Sequence, residues 1–174
     1  MSGWPALPVV FTAAQVQAAV ARLGAQVAAD YAGRDPLVLG VQTGAFVFLA
    51  DLVRCVPARL QVDFVQVGSY GAARASSGEV RLLHEPRTPL AGRHVLLVED
   101  IVDSGNTVRF LLEYCQKGGA ASVALCSLLV KGDPRGFGFP IDYWGLQAPP
   151  AFLVGYGLDD AGRWRNLPDI RRLD

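Results

Sequence analysis

Three carboxylates and a small polar turn are grouped within nine residues near the middle of the chain. The acid pair Glu99 and Asp100 follows four apolar residues, and Asp103 comes three positions later. The segment then ends in a short turn made of Ser104, Gly105, Asn106 and Thr107. A turn of this kind at the start of a helix can direct backbone N–H groups and two hydroxyls at one point, which suits a phosphate monoester.

The acid pair can accept hydrogen bonds from vicinal sugar hydroxyls, or hold Mg²⁺ together with them. The segment therefore predicts a sugar-phosphate site, with Asp103 between phosphate and sugar and placed for proton transfer. The plainer alternative is that Asp103 or Ser104 only caps a helix and that the acid pair is a solvated strand end. The order of all thirteen residues from 95 to 107 favours the phosphate site.

The elements that would position this segment alternate between strands and helices. Thr12 and Gln15 form a capping box ahead of an apolar stripe at helical spacing, which predicts a helix stopped by Gly33. Strands are predicted at 37–41, 60–67, 94–98 and 122–130, and helices at 46–55 and 105–116. This alternation predicts an α/β fold with a parallel sheet flanked by helices.

Ligands of open α/β sheets bind outside the carboxyl ends of the strands. Three segments follow such ends: residues 42–44, residues 99–107 and the segment that begins at Lys131. Strand-like pieces at 141–145 and 152–155 predict a small C-terminal hood over the sheet edge. Residues 71–78 are small and polar without periodicity, which predicts a mobile loop.

Composition predicts one packed globular domain over residues 1–174, because 51% of the residues are hydrophobic and the mean hydropathy is +0.27. The 16 Lys and Arg balance 16 Asp and Glu, and zero net charge disfavours a general nucleic-acid or membrane-surface binder. The sequence has neither a membrane-spanning apolar run nor a signal peptide pattern, so we expect a cytoplasmic protein.

The cysteines predict no structural cross-link. Cys55, Cys115 and Cys126 are odd in number, have apolar neighbours and form no CxxC pair, which predicts buried free thiols rather than disulfides or a zinc site. His84 and His94 are not at metal-ligand spacing.

Residues 95–107 resemble the phosphoribosyl-pyrophosphate (PRPP) signature of type I phosphoribosyltransferases, most closely the hypoxanthine-guanine form. Four other segments support the resemblance. Ser69 and Tyr70 look like the start of the family's flexible catalytic loop, and residues 128–131 look like its purine-reading strand end. Residues 152–159 and 163–168 look like its base-stacking and pyrophosphate segments.

The resemblance implies that purine N9 displaces pyrophosphate from the anomeric carbon of PRPP, which converts hypoxanthine or guanine to IMP or GMP. It implies that Glu99 and Asp100 bind the ribose hydroxyls and the Mg²⁺ shell. Residues 104–107 would hold the 5′-phosphate, and Asp103 would exchange a proton with purine N7.

The resemblance also indicates which residues would contact the purine base and the leaving pyrophosphate. Lys131 can only donate hydrogen bonds, so at the purine 6-position it favours an oxo group over the amino group of adenine. Phe152 would stack on the base, and the carbonyl of Leu153 would accept purine N1–H. Asp159 would hold a second Mg²⁺, and Arg165 would bind the leaving pyrophosphate. The plainer alternatives are that Lys131 is a surface lysine, that Phe152 is only a core residue and that Arg165 is an exposed arginine on a helix.

One loop departs from the family pattern. The pyrophosphate loop commonly carries Lys or Arg between an apolar residue and glycine, whereas this chain has Gln42, Thr43 and Gly44. Backbone N–H groups there could still bind phosphate oxygens, but we expect the departure to affect PRPP affinity.

Two other functions stay open at this point. One is a PRPP-binding nucleotide sensor that regulates RNA, which zero net charge and the residues after the acid pair argue against. The other is a transferase for another base such as xanthine, adenine or orotate. For a transferase, whether it uses a 6-oxopurine or another base, the expected partners are small substrates, with no nucleic acid or membrane. The resemblance also implies a homo-oligomer, either a dimer or a tetramer.

Overall fold

The structure is a computed structural model that describes residues 6–69 and 80–173. Its helices are α1 (Ala13–Asp30), α2 (Phe46–Arg54) and α3 (Asn106–Lys117). Its strands are β1 (Val9–Phe11), β2 (Leu37–Gln42), β3 (Gln61–Ser69), β4 (Val80–His84), β5 (His94–Val102), β6 (Ser122–Lys131), β7 (Tyr143–Ala148), β8 (Leu153–Val154) and β9 (Ile170–Arg172). The loop predicted at 71–78 lies outside the described residues.

Within residues 6–69 and 80–173, the main sheet has six strands in the order β4-β3-β2-β5-β6-β7. Strands β2, β3, β5, β6 and β7 run parallel, and β4 pairs antiparallel with β3 at one edge. The strand order reverses at the centre of the sheet, because β3 lies on one side of β2, whereas β5, β6 and β7 lie on the other side. Such a switch point opens a crevice at the carboxyl ends of the strands.

Two apolar layers cover the sheet, one on each face. On one face α1 and α2 pack over alternate strand residues such as Val38, Leu96 and Val98. On the other face α3 packs over the intervening residues, including Leu39 and Leu97. Because both faces are covered, the central strands are continuous apolar runs.

The hood is a second, three-stranded sheet in the order β1-β9-β8. Both of its strand pairs are antiparallel, and Val9 lies opposite Arg171. One of its strands therefore comes from the beginning of the chain, which the sequence patterns did not anticipate.

The predicted α/β fold is confirmed, and the local signals for the first helix are present. Thr12 Oγ1 accepts a hydrogen bond from Gln15 N, and Gln15 Oε1 accepts one from Thr12 N. Two predictions are wrong. The strand piece predicted in the hood at 141–145 is instead β7, which pairs parallel with β6 at the edge of the main sheet. Cys55 is exposed, because it follows the last turn of α2, whereas Cys115 and Cys126 are buried. Burial raises the pKa of the Cys115 thiol to about 11.

None of the helices in the described parts of the chain is long and apolar enough to cross a membrane.

Candidate active site

A cleft of about 400 Å³ lies at the carboxyl ends of the central strands, beneath the hood. The ends of β2, β5 and β6 and the loops that follow β2 and β5 form its floor, and the hood segment after Pro150 forms its wall. The predicted site residues that line it are Gln42, Thr43, Gly44, Glu99, Asp100, Asp103, Thr107, Lys131, Phe152, Leu153, Asp159 and Arg165.

The acid pair lies inside β5 rather than after it, because this strand extends four residues beyond its predicted end at Val98. Glu99 is only 7% exposed, and its Oε2 has no hydrogen-bond partner among the described residues. Burial raises the pKa of Glu99 well above its ordinary value, and the neighbouring Asp100 charge raises it further. Burial also raises the pKa of Asp100, although the backbone N–H of Ile101 donates to Oδ1 at 2.8 Å. A cation or hydroxyl donor in the cleft would offset this desolvation.

Gly44 and Asp100 lie so close together that a side chain at residue 44 would displace the Asp100 carboxylate. A Cβ atom at residue 44 would lie 1.7 Å from Asp100 Oδ2. The loop thus keeps its backbone beside the carboxylate. The peptide between Gln42 and Thr43 is cis.

The predicted phosphate turn is the N-terminus of α3. Gly105 is the N-cap, with a left-handed φ of +78°, and within the described residues no side chain caps the helix beyond a long 3.4 Å contact from Asn106 N to Ser104 Oγ. The first N–H groups of α3 are therefore available to an anion. A Cβ at Gly105 would also lie 3.0 Å from the ring of Phe137 and 3.1 Å from that of Phe139, so these two aromatic rings pack against the turn.

Lys131 and Asp103 form an ion pair across the ends of two adjacent strands. Lys131 Nζ lies 2.7 Å from Asp103 Oδ2, and the two side chains are 21% and 63% exposed. The register explains the pairing, because Val102 lies opposite Val130 in the parallel β5-β6 ladder. The next residue of β6 and the first residue after β5 are therefore neighbours.

The hood holds the remaining predicted residues on the opposite side of the cleft. Phe152 is 50% exposed, whereas Leu153 is buried in β8. Arg165 is in an irregular segment rather than a helix, and its Nη2 lies 2.7 Å from Asp159 Oδ1. Its Nη1 donates to the carbonyl of Gly157 at 2.6 Å. The guanidinium is thus fixed in place, and its positive charge lowers the pKa of Asp100 against the effect of burial.

The phosphoribosyl transferase domain model matches residues 11–161 of the chain. The chain belongs to this family. The hypoxanthine-guanine phosphoribosyltransferase of Bacillus subtilis is 41% identical over 162 residues, which cover 93% of this chain and 90% of that protein. The bifunctional protein TilS/HprT of Listeria innocua is 43% identical over 156 residues, which cover 90% of this chain but 24% of that protein.

Solved phosphoribosyltransferases also have the same fold. The crystal structure of a hypoxanthine-guanine phosphoribosyltransferase from Bacillus anthracis superposes with a TM-score of 0.89 at 36% identity. This superposition covers 95% of this chain and 98% of that one. The architecture of a parallel sheet with a hood is therefore that of the family.

The structure thus gathers most of the predicted residues at one cleft. Ser104, Gly105 and Asn106 are not among the lining residues: Ser104 and Gly105 lie in the turn before α3, and Asn106 is the first residue of that helix. Two predicted residues cannot be placed: Tyr70 and the side chain of Ser69 lie outside the described parts of the structure.

Sequence reasoning missed the apolar lining of the cleft, which consists of Val41, Val67, Ile101 and Leu158. Val41, Val67 and Ile101 lie near the carboxyl ends of β2, β3 and β5, and Leu158 lies in the hood segment after β8. An apolar residue in such a position is indistinguishable from core in the sequence, so there was no signal to separate the two.

Proposed function

We propose that the chain transfers the phosphoribosyl group of PRPP to N9 of a 6-oxopurine, hypoxanthine or guanine, and releases pyrophosphate. The observation that carries this proposal is the pairing of Lys131 with Asp103 between the phosphate turn and the hood. The names of the relatives, which cover most of this chain at about 40% identity, support it further.

The sugar-phosphate end of PRPP would bind at the floor of the cleft. The free N–H groups at the start of α3 suit the 5′-phosphate, with hydroxyls from Ser104 and Thr107 beside them. Glu99 Oε2, which has no partner in the described part of the chain, and the Asp100 carboxylate suit the two ribose hydroxyls, which would donate hydrogen bonds to them. These contacts would fix the anomeric carbon in the cleft.

The base would enter between Lys131 and the hood. The ammonium of Lys131 donates to the 6-oxo group, and Asp103 exchanges a proton at N7 as N9 attacks the anomeric carbon. Phe152 offers a half-exposed ring for stacking, and the Leu153 carbonyl can accept from N1–H. The bond to pyrophosphate breaks as the bond to N9 forms, and Arg165 stabilises the departing charge.

The acid pair also fits the Mg²⁺ ion that accompanies PRPP. In the described residues no group of three potential ligands could hold a metal ion by protein atoms alone. Magnesium in phosphate-transfer sites usually takes one or two carboxylates and completes its shell with substrate oxygens and water. Glu99 and Asp100 would supply those carboxylates. When bound, the ion would neutralise charge on the pyrophosphate.

Asp159 is the candidate for the second Mg²⁺. In this structure its Oδ1 is paired with Arg165 and its Oδ2 accepts from Gly162 N at 2.6 Å. Coordination of a cation by Asp159 would therefore require at least one of these contacts to be exchanged.

The test is formation of nucleotide. The protein is incubated with PRPP, Mg²⁺ and, separately, hypoxanthine, guanine, xanthine and adenine, and the products are identified by mass spectrometry. We expect IMP or GMP and equimolar pyrophosphate, with little AMP. Failure to form both IMP and GMP at saturating substrates would refute the proposal.

Two further expectations go with this function. We expect the enzyme to act in the cytoplasm and to form a homo-oligomer, a dimer or a tetramer. Light scattering of the purified protein measures its mass directly against the 18.6 kDa chain.

A further inference from the structure

A hydrogen bond joins the hood to α2, the helix that follows the pyrophosphate loop. The hydroxyl of Tyr156 donates to Asp51 Oδ2 at 2.5 Å. Tyr156 lies in the hood, three residues after Leu153, and its side chain is 6% exposed. Asp51 lies in α2, and its other carboxylate oxygen pairs with Arg54. The ring of Tyr156 therefore reaches from the wall of the cleft to the helix.

The backbone at Tyr156 is held in a demanding conformation. Its φ of +50° lies in the left-handed region, which is unfavourable for a residue with a side chain. Its N–H donates to the carbonyl of Leu167 at 2.9 Å, and Gly157 N donates to the carbonyl of Arg165 at 3.0 Å. The segment is therefore attached rigidly to the part of the hood that carries Arg165.

The residue after Tyr156 touches the pyrophosphate loop itself. A Cβ at Gly157 would lie 2.2 Å from the carbonyl oxygen of Gly44. The same Gly157 accepts the 2.6 Å hydrogen bond from Arg165 Nη1. The hood, the loop of residues 42–44 and Arg165 therefore meet at Gly157, and the Tyr156–Asp51 hydrogen bond joins the hood to α2 beside this point.

We propose that Tyr156 and Asp51 are positioning residues that hold the loop of residues 42–44 at a fixed distance from the hood. The loop and the hood can then bind the PRPP pyrophosphate from its two sides at the same time. Neither residue lines the cleft. Their effect is transmitted through α2, which begins two residues after Gly44. The inference rests on the proposed function, because that function assigns pyrophosphate to this side of the cleft.

The loop has a particular need for such support in this chain. Thr43 carries no charge, so the loop must bind phosphate oxygens through backbone N–H groups and a hydroxyl. Neutral hydrogen bonds are weaker than charge-assisted ones and depend on accurate geometry. If the hood moved relative to α2, those donors would lose their alignment with the pyrophosphate, while the base pocket at Lys131 would keep its own contacts.

The experiment compares Tyr156→Phe with Tyr143→Phe. Tyr143 is a matched control because its hydroxyl donates to Asp30 Oδ2 at 2.8 Å in the same kind of Tyr–Asp bond, outside the cleft. For each protein the KM for PRPP, the KM for hypoxanthine, kcat and Tm are measured, together with the Kd of magnesium pyrophosphate by calorimetry. The calorimetric Kd needs no turnover, so an inactive wild-type protein would refute the proposed function without deciding this inference.

We expect Tyr156→Phe to raise the KM for PRPP and the Kd for pyrophosphate by about three- to tenfold, with kcat and the KM for hypoxanthine changed less than twofold. Tyr143→Phe should lower Tm by a similar amount and leave the KM for PRPP and the Kd for pyrophosphate unchanged. If Tyr156→Phe lowers Tm but leaves the KM for PRPP and the Kd for pyrophosphate at the wild-type values, its role is only structural and the proposal is wrong.

Variants of Asp51 give a second test that does not depend on how well Tyr156→Phe folds. Asp51→Asn keeps an oxygen that can accept from the hydroxyl, so it should keep pyrophosphate affinity within twofold of wild type. Asp51→Ala removes the acceptor and should weaken pyrophosphate binding as much as Tyr156→Phe does. Equal pyrophosphate affinity in the two Asp51 variants would overturn the proposal.

Discussion

Lys131 Nζ donates a 2.7 Å hydrogen bond to Asp103 Oδ2 across the ends of β6 and β5. The two groups are assigned to neighbouring atoms of one purine edge, because O6 and N7 lie side by side on a 6-oxopurine. A base that enters the cleft can therefore meet both groups at once.

Asp103→Asn tests proton transfer. The amide is close in size and can still accept from Lys131, but it cannot exchange a proton with N7. We expect PRPP binding to be retained and kcat to fall by about 10² to 10⁴. Asp133→Asn, which lies outside the cleft, is the control. An Asp103→Asn variant with the parental kcat would mean that Asp103 has only a structural role.

Lys131→Ala tests base recognition. Removing a charged donor should cost about 1 to 3 kcal/mol in kcat/KM for hypoxanthine and guanine, while the KM for PRPP changes little. The other lysine of the chain, Lys117, pairs with Glu113 on the surface of α3, so Lys117→Ala is a matched control. Unchanged 6-oxopurine kinetics in Lys131→Ala would place the ammonium away from the base.

Thr43→Lys tests the uncharged pyrophosphate loop. A lysine there adds a charge-assisted contact, which is roughly twice as strong as a neutral one, so the KM for PRPP should fall. Thr43→Gln lengthens the side chain without charge and should not reproduce the gain. If the lysine and glutamine variants have the same KM for PRPP, the side chain at residue 43 does not face pyrophosphate.

Gly44→Ala tests the close approach of the loop to Asp100. The new methyl group would lie 1.7 Å from Oδ2, so the carboxylate must move. A displacement of this size should lower kcat/KM for PRPP by about 10²-fold. Gly136→Ala is the control, because its Cβ would meet nothing closer than 3.3 Å. Full activity of Gly44→Ala would contradict the role given to Asp100.

Glu99→Gln tests the cost of the buried acid. Folding raises the pKa of Glu99 above its ordinary value of 4.5. The contribution of this carboxyl to the free energy of unfolding is therefore complete below pH 4.5, and it is lost as the pH rises from there through the folded pKa. The Glu99→Gln variant should therefore have a Tm above wild type by about 3 °C or more at pH 8, and the difference should shrink toward pH 4.5. It should also lose PRPP affinity. A difference in Tm that does not change with pH would argue against the raised pKa.

The main strands and helices could be predicted because their apolar patterns are local and strong. Helix α1 has both its capping box and its stripe, and its bounds were predicted closely at the N-terminus. Strands β1 and β9 were missed because each has three residues and is stabilised by pairing with the other from the opposite end of the chain. Strand β4 was missed because it pairs antiparallel at the sheet edge, where Leu83 is exposed and the pattern is weak.

The site could be predicted wherever one segment carries the chemistry, as the segment from Glu99 to Thr107 does. Contacts between segments were harder, since they depend on register and packing. The Lys131–Asp103 pair follows from the β5-β6 register, and the Tyr156–Asp51 bond joins residues 105 positions apart. No local pattern encodes either contact.

The most direct test of the proposed function is a competition assay. Equal concentrations of hypoxanthine, guanine and adenine are mixed with limiting PRPP and Mg²⁺, and the three mononucleotides are quantified by chromatography for the wild-type protein and for Lys131→Ala. We predict that the wild-type protein forms IMP and GMP in large excess over AMP, and that Lys131→Ala loses most of this excess. AMP as the main product of the wild-type protein, or no mononucleotide at all, would contradict the account.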